Sequence, residues 1–402
     1  MPTDTILTPQ MITREALMIL ENNLTFAKQT DRQYSDQFAK SGAKIGATLN
    51  IRKPVRYTVS SGPALDVQDY TETQVPLVVN KQKHVDISFS SIDLTLSLQD
   101  FSERVLAPAV ARLANEIDSD GLALYSQIYN SVGTPGTVPA TSNVYLNAGA
   151  LLTKNAAPSD RAVVINPDMM AVIVPALQGL LSPTDEIGKQ YKTGQMGKAL
   201  GLKFNEDANV GYNTVGPLGG TPLVSGTPVG ASLTTKGWTA AAALRLNVGN
   251  VFTIDGVYAT NPQNQGVTAG YLQQFTVTAA FSSIADGTGT ISISPAIVTS
   301  GAFQNVVAGP ANNAAITVVG AANTVSAQGL AFTKEAFTLA TVDLEDVSKV
   351  GAWGARVSDK QLGVSMRIAK QYIIGSDTVP CRIDILYGWA VLRPELAVRI
   401  QS

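Results

Sequence analysis

A single cysteine, Cys381, and a single histidine, His84, are all that 402 residues hold of the two most reactive side-chain types. One cysteine excludes an intramolecular disulfide and a thiolate metal cage, as expected of a chain made in a reducing cytosol. Cys381 reads as a small buried hydrophobe. One histidine lacks the partners that a metal site or an acid–base relay needs. A Ser-His-Asp nucleophile would have to use His84, and no G-x-S-x-G elbow occurs anywhere in the chain. His84, between Lys83 and Val85, is therefore expected to be a solvated strand residue.

Charge is scarce as well. Charged residues make up 15% of the chain against 45% hydrophobic, well under the roughly 25% charged of ordinary soluble domains, so much surface is expected to meet protein and not water. The 29 basic and 31 acidic side chains nearly cancel, which removes the strong steering used to bind nucleic acid or an anionic membrane. No uninterrupted apolar stretch reaches ~18 residues, and the opening MPTDTILTPQ has neither a basic start nor an apolar run. The chain is expected neither to be secreted by a signal peptide nor to cross a membrane.

The chemical motifs that do occur are incomplete. Asp343, Glu345 and Asp346 lack EF-hand spacing and a turn glycine. Asp185 and Glu186 are adjacent, so in helix or strand they point apart and cannot flank one glycosidic bond. In GQMGK at 194–198 the spacing differs from a phosphate loop, and Ala199 stands where Ser or Thr would hold Mg²⁺. The stripe from Ile12 to Leu24 has only Arg14 and Lys28 as nearby cations and is interrupted by Glu15 and Glu21, which favours packing on protein over a membrane surface. No catalytic, cofactor-binding or metal-ligating residue is assigned, and an enzyme is not expected.

What remains is pattern. At two to three single-domain lengths the chain has room for a core and a second module. Thr8 and Pro9 read as N-cap and first helical residue, followed by Ile12, Ala16, Ile19, Leu20 and Leu24 at helical spacing. Leu49, Ile51, Val55, Tyr57 and Val59 then alternate with polar residues, as do Val85, Ile87 and Phe89, which predicts two half-buried strands. The polar stretch 60–80 between them reads as the far end of a long hairpin. Two strands alone bury too little to be stable, so this hairpin must lean on something else. Leu106, Val110, Leu113, Ile117, Leu124 and Ile128 predict a long helix beginning near Ala107, with Pro108 in its first turn. Residues 161–165 form an apolar strand, and Asn166-Pro167 opens a helix, which suggests an α/β layer.

The sharpest boundary lies near Thr221. From there to Leu330 the only charges are Lys236, Arg245, Asp255 and Asp286. Strands are expected at 251–254, 275–278, 291–294 and 316–319, with a hairpin turn at Asp286-Gly287, giving a small barrel or sandwich. Charge returns after Ala331, and Val364, Met366 and Ile368, then Cys381, Ile383 and Ile385, predict two more strands. The module is thus inserted, not appended.

Residues 7–31 (LTPQMITREALMILENNLTFAKQTD) resemble the N-terminal arm of tailed-phage major capsid proteins. Residues 45–59 (IGATLNIRKPVRYTV) with 85–89 resemble their extended E-loop hairpin, and 100–117 the start of the spine helix. Residues 331–340 (AFTKEAFTLA) and 381–395 (CRIDILYGWAVLRPE) resemble the strands by which such coats re-enter the core and complete the peripheral domain. Residues 249–262 (GNVFTIDGVYATNP) resemble the opening of the β-barrel insertion of the phage P-twenty-two coat branch.

The resemblance implies an α+β chain with the Hong Kong ninety-seven capsid fold. Its parts would be an N-terminal arm (1–46), E-loop and adjoining strands (47–97), spine helix (98–133), axial domain (134–220), inserted all-β barrel (221–330) and a return to the axial and peripheral domains (331–402). The implied function is a major capsid protein that self-assembles through hexamers and pentamers into an icosahedral shell around double-stranded DNA, with no cofactor and no membrane. Implied partners are a scaffolding protein and a portal, with DNA as a weak, non-specific neighbour. Its places are the virion capsid and, during assembly, the host cytoplasm. Phe26, Arg32, Tyr34, Arg52, Pro54 and Arg56 are the candidate intersubunit contacts, and a chain lacking residues 1 to 30 is expected to fold without closing shells. Alternatives are an encapsulin-like compartment, a surface adhesin and an unrecognised hydrolase lacking His and Cys at its site.

Overall fold

Helix α1 (Pro9–Asn23) begins on a proline, whose missing N–H costs nothing in a first turn, and turns Ile12, Ala16, Leu17 and Leu20 to the interior. The computed structural model describes residues 9–34, 47–57, 59, 61–63, 65, 67, 72–90, 106–177, 197–345, 347, 353–359, 363–375 and 378–402. The expected cap Thr8, residues 194–196 of the GQMGK motif, Asp185, Glu186 and Asp346 lie outside these residues. The chain forms two units.

The first unit draws on Met1–Arg52, Gln74–Gly121 and Phe337–Leu392. Its main sheet runs in the order Asp31–Tyr34, Phe337–Val342, Thr378–Val391, Val364–Lys370, Trp353–Asp359, and Lys81–Ser90 also pairs with Thr378–Val391. Strand alternation sends successive side chains to opposite faces. Cys381, Ile383, Ile385 and Tyr387 therefore meet α1 and α2 (Ala107–Leu122) together with Val364, Met366 and Ile368. Leu386 and Ala390 pack instead with Ile51, Leu77 and Val79 of the hairpin. The second half of Thr378–Val391 is thereby covered on both faces.

That hairpin differs from its sequence reading. Ala47–Arg52 pairs with Gln74–Val79, in register from Ala47↔Val79 to Arg52↔Gln74, whereas Lys81–Ser90 runs along Thr378–Val391. The second hairpin strand thus comes from the stretch read as a polar hairpin end. The apolar ending PLVV decides it, since Leu77 and Val79 are fully buried and Pro76 is tolerated on a two-stranded ribbon. Tyr57 and Val59, expected to extend the first strand, are exposed coil. Gly388 permits the close approach here, because a Cβ at that position would lie 2.4 Å from the Val78 carbonyl oxygen.

The second unit draws on Lys53–Thr73, Leu122–Ala336 and Arg393–Ser402. One sheet runs Ser131–Gly133, Ala397–Gln401, Val325–Thr333, Arg161–Ile165, Leu202–Glu206, Lys198–Ala199, with Tyr212–Thr214 also on Val325–Thr333. Helices α3 (Ser142–Lys154) and α4 (Pro167–Leu177) supply Tyr145, Leu152, Met169 and Ile173 to its core. The Asn166 side chain accepts the Met169 N–H at 2.9 Å and caps α4 where expected. Helix α2 ends at Leu122 and a 3₁₀ turn, Ala123–Gln127, follows. The helical spacing that reached Ile128 therefore overran the helix.

The rest of this unit is antiparallel, in the order Leu223–Val224, Gly230–Lys236, Gly289–Ile297, Val267–Val277, Val251–Thr260, Ile316–Val318. A bridge from Leu223 to Ala315 joins the first strand to the end of the last, with hydrogen bonds from Val224 N–H to the Ala314 carbonyl (2.9 Å) and from Ile316 N–H to that of Pro222 (3.0 Å). Phe252, Phe275, Ile291, Ile293 and Trp238 fill the space between. The four strands expected here each overlap an observed one, those at 275–278 and 316–319 running one residue past its end. At the expected turn the Asp286 carboxylate accepts the Thr288 N–H and hydroxyl at 2.9 and 2.8 Å, and Gly287 takes φ +79°, which favours glycine.

Candidate assembly surfaces

In the first unit, the segment after α1 is tied down by one carboxylate. Asp118, 1% exposed on α2, accepts the backbone N–H groups of Thr25 (2.6 Å), Phe26 (3.2 Å) and Ala27 (2.9 Å). Hydrogen bonds to a buried charge are among the strongest a chain makes. Phe26 is fully buried, with ring centroids 5.3 Å from Phe337 and 5.4 Å from Trp389. Gly121 on α2 lies so close that a Cβ would sit 2.7–2.8 Å from the Trp389 and Phe26 rings. The Phe26 ring is thus committed to its own subunit.

The other candidate contacts fall into two groups. Arg32 lies on a strand parallel to Phe337–Val342 and pairs with Glu21 of α1, both half-buried. Tyr34 ends the same strand; its side chain lies outside the described residues. Arg52 is exposed at the end of the first hairpin strand. In the second unit Pro54 is exposed. Arg56 is half-buried, donating to Glu395 at 2.9 Å and lying over the Phe303 ring at 5.7 Å.

Along Lys81–Ser90, Lys81 pairs with Asp120 at 2.7 Å and Lys83 with Glu116, and the His84 Nδ1 lies 2.9 Å from the Asp86 carboxylate. The Glu116 hydrogen bond raises the Lys83 pKa. Asp384, fully buried, accepts two hydrogen bonds from Arg367 and one from Gln82. His84 is an exposed strand residue beside Asp86. Cys381 is buried, which pushes its thiol from 9.0 up to about 11. Among the described residues no three His, Cys, Asp or Glu side chains come together to hold a metal ion.

The model of the family described as P22 coat protein, gene protein 5, matches residues 1–401. The chain belongs to the P22 coat protein family. The coat protein is similar in fold to a solved chain of Mycobacterium phage Che8, at 14% identity over 94% of this chain and 90% of that one, TM-score 0.44. A chain from the bacteriophage PhiM1 mature capsid is 10% identical over 94% and 86%, TM-score 0.41. One from a virus-like particle of Pyrococcus furiosus is 7% identical over 97% and 98%, TM-score 0.38. No curated protein matches the chain. The coat protein is a phage major capsid protein, a structural subunit of the virion shell and not an enzyme.

Sequence reasoning missed Asp118 and Trp389. Asp118 neighbours the apolar stripe of α2 but carries a charge, and its three N–H donors come from some ninety residues away, so no local signal marks it. Trp389 follows Gly388 in a run apolar on both faces, where alternation is silent about which neighbour each ring meets.

Proposed function

We propose that the coat protein closes an icosahedral shell of hexamers and pentamers around double-stranded DNA, and that a scaffolding protein and a portal take part in assembly in the host cytoplasm. DNA is then a weak neighbour, in keeping with 29 basic against 31 acidic residues. The parts are an N-terminal arm (1–46), E-loop region (47–97), spine helix (98–133), axial domain (134–220), an inserted β-barrel (221–330) and a returning segment (331–402). Support for the barrel comes from its hydrogen bonding, since the bridge from Leu223 to Ala315 carries the strand order back to its start. Interfaces of modest area suffice when closed symmetry repeats them.

The observation that carries the contact assignment is the exposure of two of its residues. Arg52 and Pro54 are exposed, whereas Arg32 and Arg56 are half-buried. Arg52→Glu should lower shell yield at least tenfold while the free subunit keeps its melting temperature within ~2 °C, because exposed substitutions cost little in stability. Shell yield equal to that of the unaltered chain would remove Arg52 from the interface. Nuclease-treated virions should retain duplex DNA, and empty particles would count against the genome-enclosing role.

A further inference from the structure

In the second unit a cavity of about 480 Å³ is walled by Lys53, Arg56, Tyr129, Phe303, Arg393 and Glu395, with asparagine and glutamine amides completing it. Its charged lining is three cations and one acid. Glu395 is already shared, because a single carboxylate oxygen accepts from Arg56 (2.9 Å) and from Arg393 (3.2 Å). Arg393 reaches Glu335 as well, at 2.9 Å. That leaves Lys53, whose ammonium has no hydrogen-bond or ion-pair partner among the described residues. Burial lowers its pKa, Glu395 opposes the shift, and Arg56 and Arg393 add to it. Beside it Tyr129 is 8% exposed, and its hydroxyl likewise has no partner among the described residues. Burial first, then Glu395, hold that phenol well above its ordinary pKa, so it remains a neutral donor.

The wall therefore presents donors in excess: an ammonium, two guanidinium groups and a phenol against one occupied carboxylate. A half-buried cation without a counter-ion is costly, and one anion would satisfy the surplus. Guanidinium forks match tetrahedral oxyanions by paired hydrogen bonds, and lysine adds a point charge. We propose that this cavity binds one oxyanion of the phosphate class, held by Lys53, Arg56 and the Tyr129 hydroxyl. Lys53 and Arg56 come from the segment Lys53–Thr73 and Arg393 from the C-terminal segment Arg393–Ser402, so the anion fastens one to the other. The inference does not depend on shell formation and is tested on the free subunit.

The full-length coat protein is titrated with inorganic phosphate at constant ionic strength, balanced with sodium chloride, following melting temperature and the heat of binding. Phosphate stabilises many proteins through exclusion from their surface, so the comparison is with Lys53→Gln and with Tyr129→Phe, which preserves packing. The expected result is saturable stabilisation, with one site per chain. It should be lost in Lys53→Gln and show at least threefold weaker binding in Tyr129→Phe. A parallel arm with a short duplex oligonucleotide separates the sources: binding through Lys53 in that arm assigns the anion to a nucleic-acid backbone, and its absence assigns it to free phosphate. No saturable binding, or equal binding in the unaltered chain and both variants, would overturn the proposal.

Discussion

Asp118 is the residue on which the attachment of the segment after α1 turns. Removing its carboxylate leaves three backbone N–H groups without their acceptor, two of them paired in buried surroundings, and each such loss costs about 1–3 kcal/mol. Asp118→Ala should destabilise the subunit by about 3–5 kcal/mol, measured by denaturant unfolding, with protease cleavage appearing first between Asn23 and Thr30. Unchanged stability would show the three contacts to be dispensable. Cys381 makes a second prediction at this scale. A thiol whose folded pKa is raised from 9.0 to about 11 contributes stability that is complete below pH 9 and lost as pH rises through 11, up to about 3 kcal/mol. The fall in unfolding free energy between pH 9 and 11 should be smaller in Cys381→Ala, and iodoacetamide at pH 8 should label the unfolded chain alone. That Cys381 is buried was legible from its place in an alternating strand. Arg399 was not legible in this way. It is 1% exposed and held by the Gln328 side-chain oxygen at 2.8 and 2.6 Å and by the Gly249 carbonyl. Neither partner is near it in sequence, and burial drops its guanidinium to about 10.

At the scale of elements, α1 matters most because it changes one expectation. A chain lacking residues 1 to 30 was expected to remain folded. Yet Ile12, Leu17, Leu20 and Leu24 are buried in the core with Val110, Leu113 and Met366. At about 1.5–3 kcal/mol for each large side chain, their burial contributes on the order of 10 kcal/mol, comparable with the whole stability of a domain. The truncated chain should therefore aggregate or lose its cooperative unfolding transition, as read by circular dichroism on heating. A truncated monomer melting within ~5 °C of the full chain would show that α1 is peripheral. The periodicity that located α1 and α2 could not name what they cover, since a helical stripe looks the same whether it meets its own sheet or another subunit. The hairpin was misregistered for a related reason. Alternation identifies strands, but only tertiary contact chooses partners, and the short apolar run ending in Leu77 and Val79 outcompeted the longer strand at 81–90.

For the whole molecule, composition carried more than any motif. Fifteen per cent charge and near-neutral balance pointed to surfaces that meet protein, and the single histidine removed most catalytic designs before any fold was considered. The charge-poor stretch beginning near 221 marked a β-rich region because strands buried on one side need few charges; the four strands and the turn read from alternation overlap observed ones, while Gly230–Lys236, Ala243–Leu246 and Phe281–Ser283 were not read. What sequence could not supply was the division of the chain into two units that each draw on three separated segments, since local pattern carries no information about which distant segments share a core. The central claim is that this coat protein encloses space by associating with itself. Negative-stain electron microscopy with sedimentation velocity, on the chain expressed with its candidate scaffolding protein, tests it directly. The account predicts closed particles of uniform diameter sedimenting as one fast boundary, and a population of monomers and small oligomers with no closed particles would contradict it.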